Sequence, residues 1–206
     1  LVTGYGYDTQ GNLTNVTDAE GHVTTYQYDD MRRLVSTTSP DTGTVTYVYD
    51  EAGNLERKTD VKGITVEYDY DLLNRLTLIN FPNDQDIVYT YDERTNGKSH
   101  LTGMTDASGS TTFDYDNRGR LFEKTSTING HSFKLSYGNS LANRLTSVVF
   151  PTGRSVTYTR NSTGNVEEVS TLYDSITTVL MNNFTYLPFG PAASMDTGTG
   201  SAVNNV

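Results

Sequence analysis

The sequence predicts an all-β chain: an extended antiparallel meander of repeated hairpins that curves or spirals as a ribbon. Three observations predict it. The 206 residues include 33 Thr and 15 Tyr but only 7 Ala. Thr and Tyr suit the pleated sheet, and a chain so poor in Ala is a poor helix former. Turn formers are abundant, with 18 Gly, 17 Asn and 17 Asp, the types that accept turn backbones. The third observation is an internal period.

Tyr-Asp pairs stand at Tyr7-Asp8, Tyr28-Asp29, Tyr49-Asp50, Tyr70-Asp71 and Tyr91-Asp92, 21 residues apart four times in succession. The next pair, Tyr115-Asp116, follows after 24. Tyr137 then follows after 22 and Tyr158 after 21, with Gly138 and Thr159 in place of the Asp. A fixed period of this length marks a repeat architecture.

Each unit opens with a strand that ends in the Tyr, as in Val45 to Tyr49, Val66 to Tyr70 and Ile87 to Tyr91. Alternation along a strand puts Val45, Tyr47 and Tyr49 on one face, and likewise Val66, Tyr68 and Tyr70. The residues between the aromatics, such as Gln27, Asp69 and Thr90, are mostly polar. One face is therefore expected to be covered and the other wet. A turn follows. Gly11, Gly53, Asn74 and Gly119 stand four residues after the Tyr, and these types tolerate positive φ. Arg32 breaks the pattern, so strain or a different turn is expected there. Leu13, Leu34, Leu55, Leu76 and Leu121, six residues after the Tyr, open the return strand. Longer loops are expected at Glu93 to His100 and at Gly138 to Arg144, where added length costs little.

The return strand runs Leu13 to Thr17, Leu55 to Thr59, Leu101 to Thr105 and Leu121 to Thr125. It ends at a second turn, Asp18 to Gly21, Asp60 to Gly63 or Asp106 to Gly109, with Pro40, Pro82 and Pro151 at this place in other units. Proline fits there because its fixed φ helps and its missing N–H costs little. About 15 strands span Tyr7 to Tyr158. Accumulated strand twist makes so long a sheet curve. The repeat array is expected over residues 1–190. Residues 191–206 read as a Gly/Ser/Thr-rich tail or the start of a further segment.

Units such as Val45-Thr46-Tyr47-Val48-Tyr49-Asp50-Glu51-Ala52-Gly53-Asn54-Leu55 and Phe113-Asp114-Tyr115-Asp116-Asn117-Arg118-Gly119-Arg120-Leu121 resemble the YD repeat of the rearrangement-hot-spot (RHS) family. The resemblance spans residues 4 to 190, with Tyr186-Leu187-Pro188-Phe189-Gly190 similar to a degenerate unit. It implies a β-ribbon that spirals into a hollow shell. In bacterial members of the family that shell encloses a C-terminal toxin, and animal relatives are cell-surface adhesion proteins. The implied partners are the rest of the same polypeptide shell and its enclosed toxin domain. The alternative is a carbohydrate- or receptor-binding adhesion module on the same repeats. Either implies a secreted or cell-surface place. The family's autoproteolytic core motif does not occur in the sequence, and a chain that starts at Leu1 reads as a piece of a longer polypeptide.

Composition narrows the function classes. Fifteen basic against 25 acidic residues give a net charge of −10, which argues against nucleic acid as a partner. No apolar run approaches the roughly 20 residues of a membrane helix. With no Cys, there is neither a disulfide framework nor a Cys-based metal site.

No nucleophile-elbow, phosphate-loop or dinucleotide motif is present, so a non-catalytic chain without cofactor or metal is expected. Asp41-Thr42-Gly43 and Asp196-Thr197-Gly198 match the aspartic-protease triplet but lack apolar strand flanks. Asp114 to Gly119 begins like a calcium loop, yet Arg118 and Thr125 occupy ligand positions five and twelve. His22, His100 and His131 are not spaced as metal ligands. Asn12, Asn15, Asn161 and Asn183 fit the glycosylation sequon, as a composition rich in Asn and Thr makes common. The Tyr ladder could receive sugars or extended peptides. Its simpler role is cross-strand stacking, worth about 0.2–1 kcal/mol a pair.

Overall fold

The computed structural model describes residues 2–188, 190–198 and 202–204. Every element among them is a strand, and none is a helix. The chain divides into two compact units: residues 1–89 with 105–107, and residues 90–104 with 108–206.

The first unit contains β1 (Gly4–Tyr7), β2 (Leu13–Thr17), β3 (Val23–Tyr28), β4 (Leu34–Ser39), β5 (Gly43–Tyr49), β6 (Leu55–Thr59), β7 (Thr65–Tyr70) and β8 (Leu76–Asn80). The division between units passes through β9 (Ile87–Tyr91) and β10 (Leu101–Asp106). From β1 to β9 each strand pairs antiparallel with the next. The second unit continues with β11 (Gly109–Tyr115), β12 (Leu121–Ile128), β13 (His131–Asn139), β14 (Leu145–Val149), β15 (Ser155–Arg160), β16 (Val166–Tyr173), β17 (Ile176–Tyr186), β18 (Ala192–Thr197) and β19 (Ala202–Asn204). Here too each strand from β11 to β19 pairs antiparallel with its successor. The architecture is the expected meander. Strands β18 and β19 lie in the segment read from sequence as a tail.

Burial follows the alternation. In β3, Thr24, Tyr26 and Tyr28 are half-buried while Val23, Thr25 and Gln27 are exposed. In β5 the half-buried set is Val45, Tyr47 and Tyr49. The return strands β2 and β8 are half-buried along their whole length, so they show no wet face. Val169 is the one buried apolar side chain among the described residues. Without a core, backbone pairing and the turns must hold the modules in register. In β1, Tyr5 and Tyr7 are each 62% exposed, because only β2 flanks them.

A β-bulge closes most of the strands that lead into these turns. In β5, Val48 pairs with Arg57 but Tyr49 pairs with Leu55, so Glu56 is the extra residue. The same slip occurs at Tyr7, Tyr28, Tyr70 and Tyr115. A bulge adds twist and ends the ladder locally.

Candidate functional site

The recurring feature is the turn after each bulge. Asp50 N–H donates to Asn54 O at 2.9 Å and Gly53 N–H donates to Asp50 O at 3.1 Å. Eleven turns among the described residues share this double bond, starting at residues 8, 18, 29, 50, 60, 71, 116, 140, 150, 161 and 187. Both ends of many hairpins therefore use one geometry. The turns at Asp18 and Asp60, read from sequence as a separate second turn, have the same bonds as the Tyr-Asp turns.

Its fourth position is left-handed. Gly11, Gly53 and Gly119 have φ of 86°, 90° and 73°, and Asn74 has 58°. Arg32 has φ 63° and makes the same bonds, Arg32 N–H to Asp29 O at 2.9 Å. Of the two expectations there, the strained backbone holds and the different turn does not.

The turn explains why Asp follows Tyr. Asp116 Oδ1 accepts the N–H of Arg118 at 2.8 Å and of Arg120 at 3.1 Å. Its Oδ2 accepts Arg120 Nε at 2.7 Å. Asp29 does the same with Met31 and Arg33, and Asp71 with Leu73 and Arg75. At Asp8 and Asp50 the fifth residue is Asn12 or Asn54, whose amide donates to Oδ2 at 2.8 and 2.9 Å. These bonds favour the ionised carboxylate. Asp116 is held down to about 2 from 3.8, first by the Arg120 side chain. Asp8 and Asp50 are lowered first by their Asn side chains, and Asp29 and Asp71 first by the arginine N–H. Asp18 is lowered by His22, which donates from 3.0 Å and is itself raised by Asp18. The fifth residue was missed from sequence. Its signal was available: Asn, Arg or His four residues after the Asp in each of these turns.

The tyrosines close the other side of the module. Tyr49 Oη donates to Leu34 O at 2.9 Å, Tyr70 to Leu55 O at 3.1 Å and Tyr115 to Leu101 O at 2.9 Å. Each reaches back to the leucine that opens the preceding return strand. Partial burial pushes these three phenols up. Leu13, Leu34, Leu55, Leu76 and Leu121 begin β2, β4, β6, β8 and β12. Tyr91 ends β9, and Asp92 N–H donates to His100 O at 3.2 Å across the longer loop.

Two repeat positions need correction. Tyr137 and Tyr158 do not precede the turn. The turn begins at Ser140 and Asn161, and the bulges fall at Asn139 and Arg160. Tyr137 and Tyr158 are thus counterparts of Tyr47, two residues earlier. Ser140 and Asn161, rather than Gly138 and Thr159, replace the Asp. Gly138 to Arg144 is accordingly not a longer loop, because strand β13 continues to Asn139. Arg160 takes the place of the tyrosine, and its Nη2 donates to Leu145 O at 3.2 Å as Tyr49 does to Leu34 O. The turn at Leu187 belongs to the series, with Tyr186 donating to Val166 O at 2.8 Å.

Neighbouring turns also bond to one another. Arg33 Nη1 donates to Asp50 O at 3.4 Å, and Arg33 Cζ lies 4.7 Å from the Tyr49 ring centroid. Asn54 donates to Asn74 Oδ1 at 3.0 Å, and Arg120 Nη1 to Ser140 O at 2.6 Å.

The other candidates are held locally. Asp41 and Asp196 belong to different units. Asp41 N–H donates to Ser39 Oγ at 3.3 Å, and Asp196 accepts the Asn183 amide at 2.9 Å. Asp114 is clamped by Arg94 Nε at 2.6 Å and Nη2 at 2.7 Å. His100 stacks on Tyr115 at 4.3 Å, and His131 is exposed at the start of β13. No group of three His, Cys, Asp or Glu among the described residues could hold a metal ion. Among the described residues no helix is long and apolar enough to cross a membrane.

A chain of hairpins linked mostly by one capped turn defines a tandem β-repeat protein. The RHS Repeat family matches residues 7–44, 49–86 and 96–131, more than half of the sequence, and the chain belongs to that family. No curated protein matches it. Solved structures share the fold. The crystal structure of TcdB2-TccC3-Cdc42 matches with a TM-score of 0.85 at 14% identity, over 98% of this chain and 12% of that one. The Photorhabdus luminescens Tc holotoxin pore matches with a TM-score of 0.80 at 15% identity, over 95% of this chain and 11% of that one. The chain therefore spans about an eighth of the length of these structures.

Proposed function

We propose that this chain is a stretch of the wall of an RHS-repeat shell that encloses a C-terminal toxin until delivery. One observation carries the reading: capped hairpins pair in chain order, in a fold shared over 98% of the chain with a segment of TcdB2-TccC3-Cdc42. A wall needs an extendable module whose rims are tied, and turn-to-turn bonds such as Arg33 to Asp50 and Arg120 to Ser140 supply the tie. On this reading the partners are the adjoining wall and the enclosed domain, and the protein acts outside the cell that makes it. The chain's own part is structural and not catalytic. The adhesion reading has less support, because hydroxyls of the ladder, those of Tyr49, Tyr70 and Tyr115, are engaged with backbone carbonyls. The test is protease digestion of the whole polypeptide that carries this chain. A C-terminal domain that survives digestion, but is cut when Asp50, Asp71 and Asp116 are all replaced by Ala, fits containment. A domain cut equally fast in both proteins contradicts it.

A further inference from the structure

We propose that Arg144 and Arg160 form an oxyanion site in the turns of the second unit, taking a carboxylate or a phosphate group. The inference is independent of the containment reading.

The regular turns show what is missing. Arg33, the fifth residue of its turn, has two neighbours for its charge. One is the carboxylate that opens its own turn, Asp29 Oδ2 at 2.7 Å. The other is the ring of Tyr49, sixteen residues later, at 4.7 Å. Arg144 is the fifth residue of its turn, but that turn opens with Ser140. Sixteen residues later stands Arg160. The carboxylate has become a hydroxyl, and the π face has become a second guanidinium.

The two cations are held close together. Arg144 Nη1 donates to Thr163 O at 3.4 Å and packs directly over Gly164. Arg160 Nη1 donates to Gly164 O at 3.2 Å. Arg160 Nε is buried without a hydrogen-bond partner. The open hollow they share is also lined by Ser140, Ser162 and Tyr158, and none of its lining residues is acidic. Two guanidiniums on one glycine repel each other, and an anion between them would offset that repulsion. Arginine presents a planar fork of donors that fits a carboxylate or phosphate, and the nearby hydroxyls can complete its coordination. In a chain of net charge −10, such a cationic pair without a carboxylate is a departure that calls for a ligand.

The test is thermal unfolding of the intact chain in millimolar inorganic phosphate, acetate or chloride at matched ionic strength. Relative to chloride, at least one oxyanion should raise Tm by about 2–4 °C. The gain should disappear in Arg144→Gln. It should also disappear in Ser140→Asp, which restores the repeat's own carboxylate and should raise Tm in chloride. Ser140→Asp guards against a fold defect, since Asp occupies that place in the regular turns. A gain from acetate shows that the site takes a carboxylate, and a gain from phosphate alone shows that it takes a tetrahedral anion. No gain over chloride, or an equal gain in wild type and both variants, overturns the proposal.

Discussion

The aspartates of five Tyr-Asp pairs, Asp8, Asp29, Asp50, Asp71 and Asp116, have a chemical reason to be ionised: each caps two backbone N–H groups and one side-chain donor. That gives the fold a defined acid response. A carboxylate whose pKa is depressed in the folded state contributes stability above its unfolded value and loses it as pH falls through the folded value. For Asp116 the window runs from 3.8 down to about 2, and Asp8, Asp29, Asp50 and Asp71 shift the same way. Thermal melts across this range should show a steep loss of Tm, and Asp116→Asn should reduce its slope. His22 has the opposite sign. Its raised pKa contributes below 6.5 and is lost as pH rises through the folded value, so His22→Gln should flatten the fall in stability as pH rises above 6.5. Tyr49→Phe keeps the ring and removes the bond to Leu34 O, at a cost of about 1 kcal/mol by denaturant unfolding. Arg32→Gly relieves a left-handed backbone, so it should stabilise by about 1 kcal/mol, whereas a β-branched Arg32→Val should destabilise.

Hairpins were legible in the sequence because pleat and period agree. Val45-Thr46-Tyr47-Val48-Tyr49 sets the strand, and Asp50 to Asn54 sets the turn. The later units were misread by two residues for a specific reason. Tyr137 and Tyr158 are 21 residues apart, and that preserved interval concealed that the outer aromatic had become Asn139 and Arg160. The turns themselves keep the pattern. Ser140 and Asn161 open them, Asn143 and Gly164 take positive φ at the fourth place, and Arg144 and Asn165 close them. Turn residues, not aromatics, are thus the sounder ruler for this repeat. The site formed by Arg144 and Arg160 was invisible because it exists only when the phase is right. Not every hairpin uses the capped turn. Asn129-Gly130 and Asp174-Ser175 are paired positive-φ residues, at 50° and 78° and at 49° and 64°, in the two-residue turns that suit twisted strands. Gly109 enters β11 at φ 143°, where an added Cβ would strike Thr127 O. Gly109→Ala should therefore cost more than about 1 kcal/mol and selectively speed hydrogen exchange in β11 and β12.

A protein whose described residues bury one apolar side chain, Val169, depends on repetition, and the proposed containment would give that repetition a purpose. The sheet has two chemically different faces, and a wall must turn one of them inward. In β6, Arg57 pairs with Val48 of β5 and Glu67 of β7, and Lys58 pairs with Tyr47 of β5 and Val66 of β7. Adjacent residues on one strand, they lie on opposite faces and both are exposed. With no Cys among these 206 residues, Arg57→Cys and Lys58→Cys report each face, and the unsubstituted whole polypeptide gives the background. The decisive measurement is their labelling rate with a bulky maleimide polymer, in the 206-residue chain and in the whole polypeptide that carries it. Containment predicts that both sites react in the short chain and that one of them is protected in the whole protein. Equal labelling of both sites in the whole protein would contradict the account.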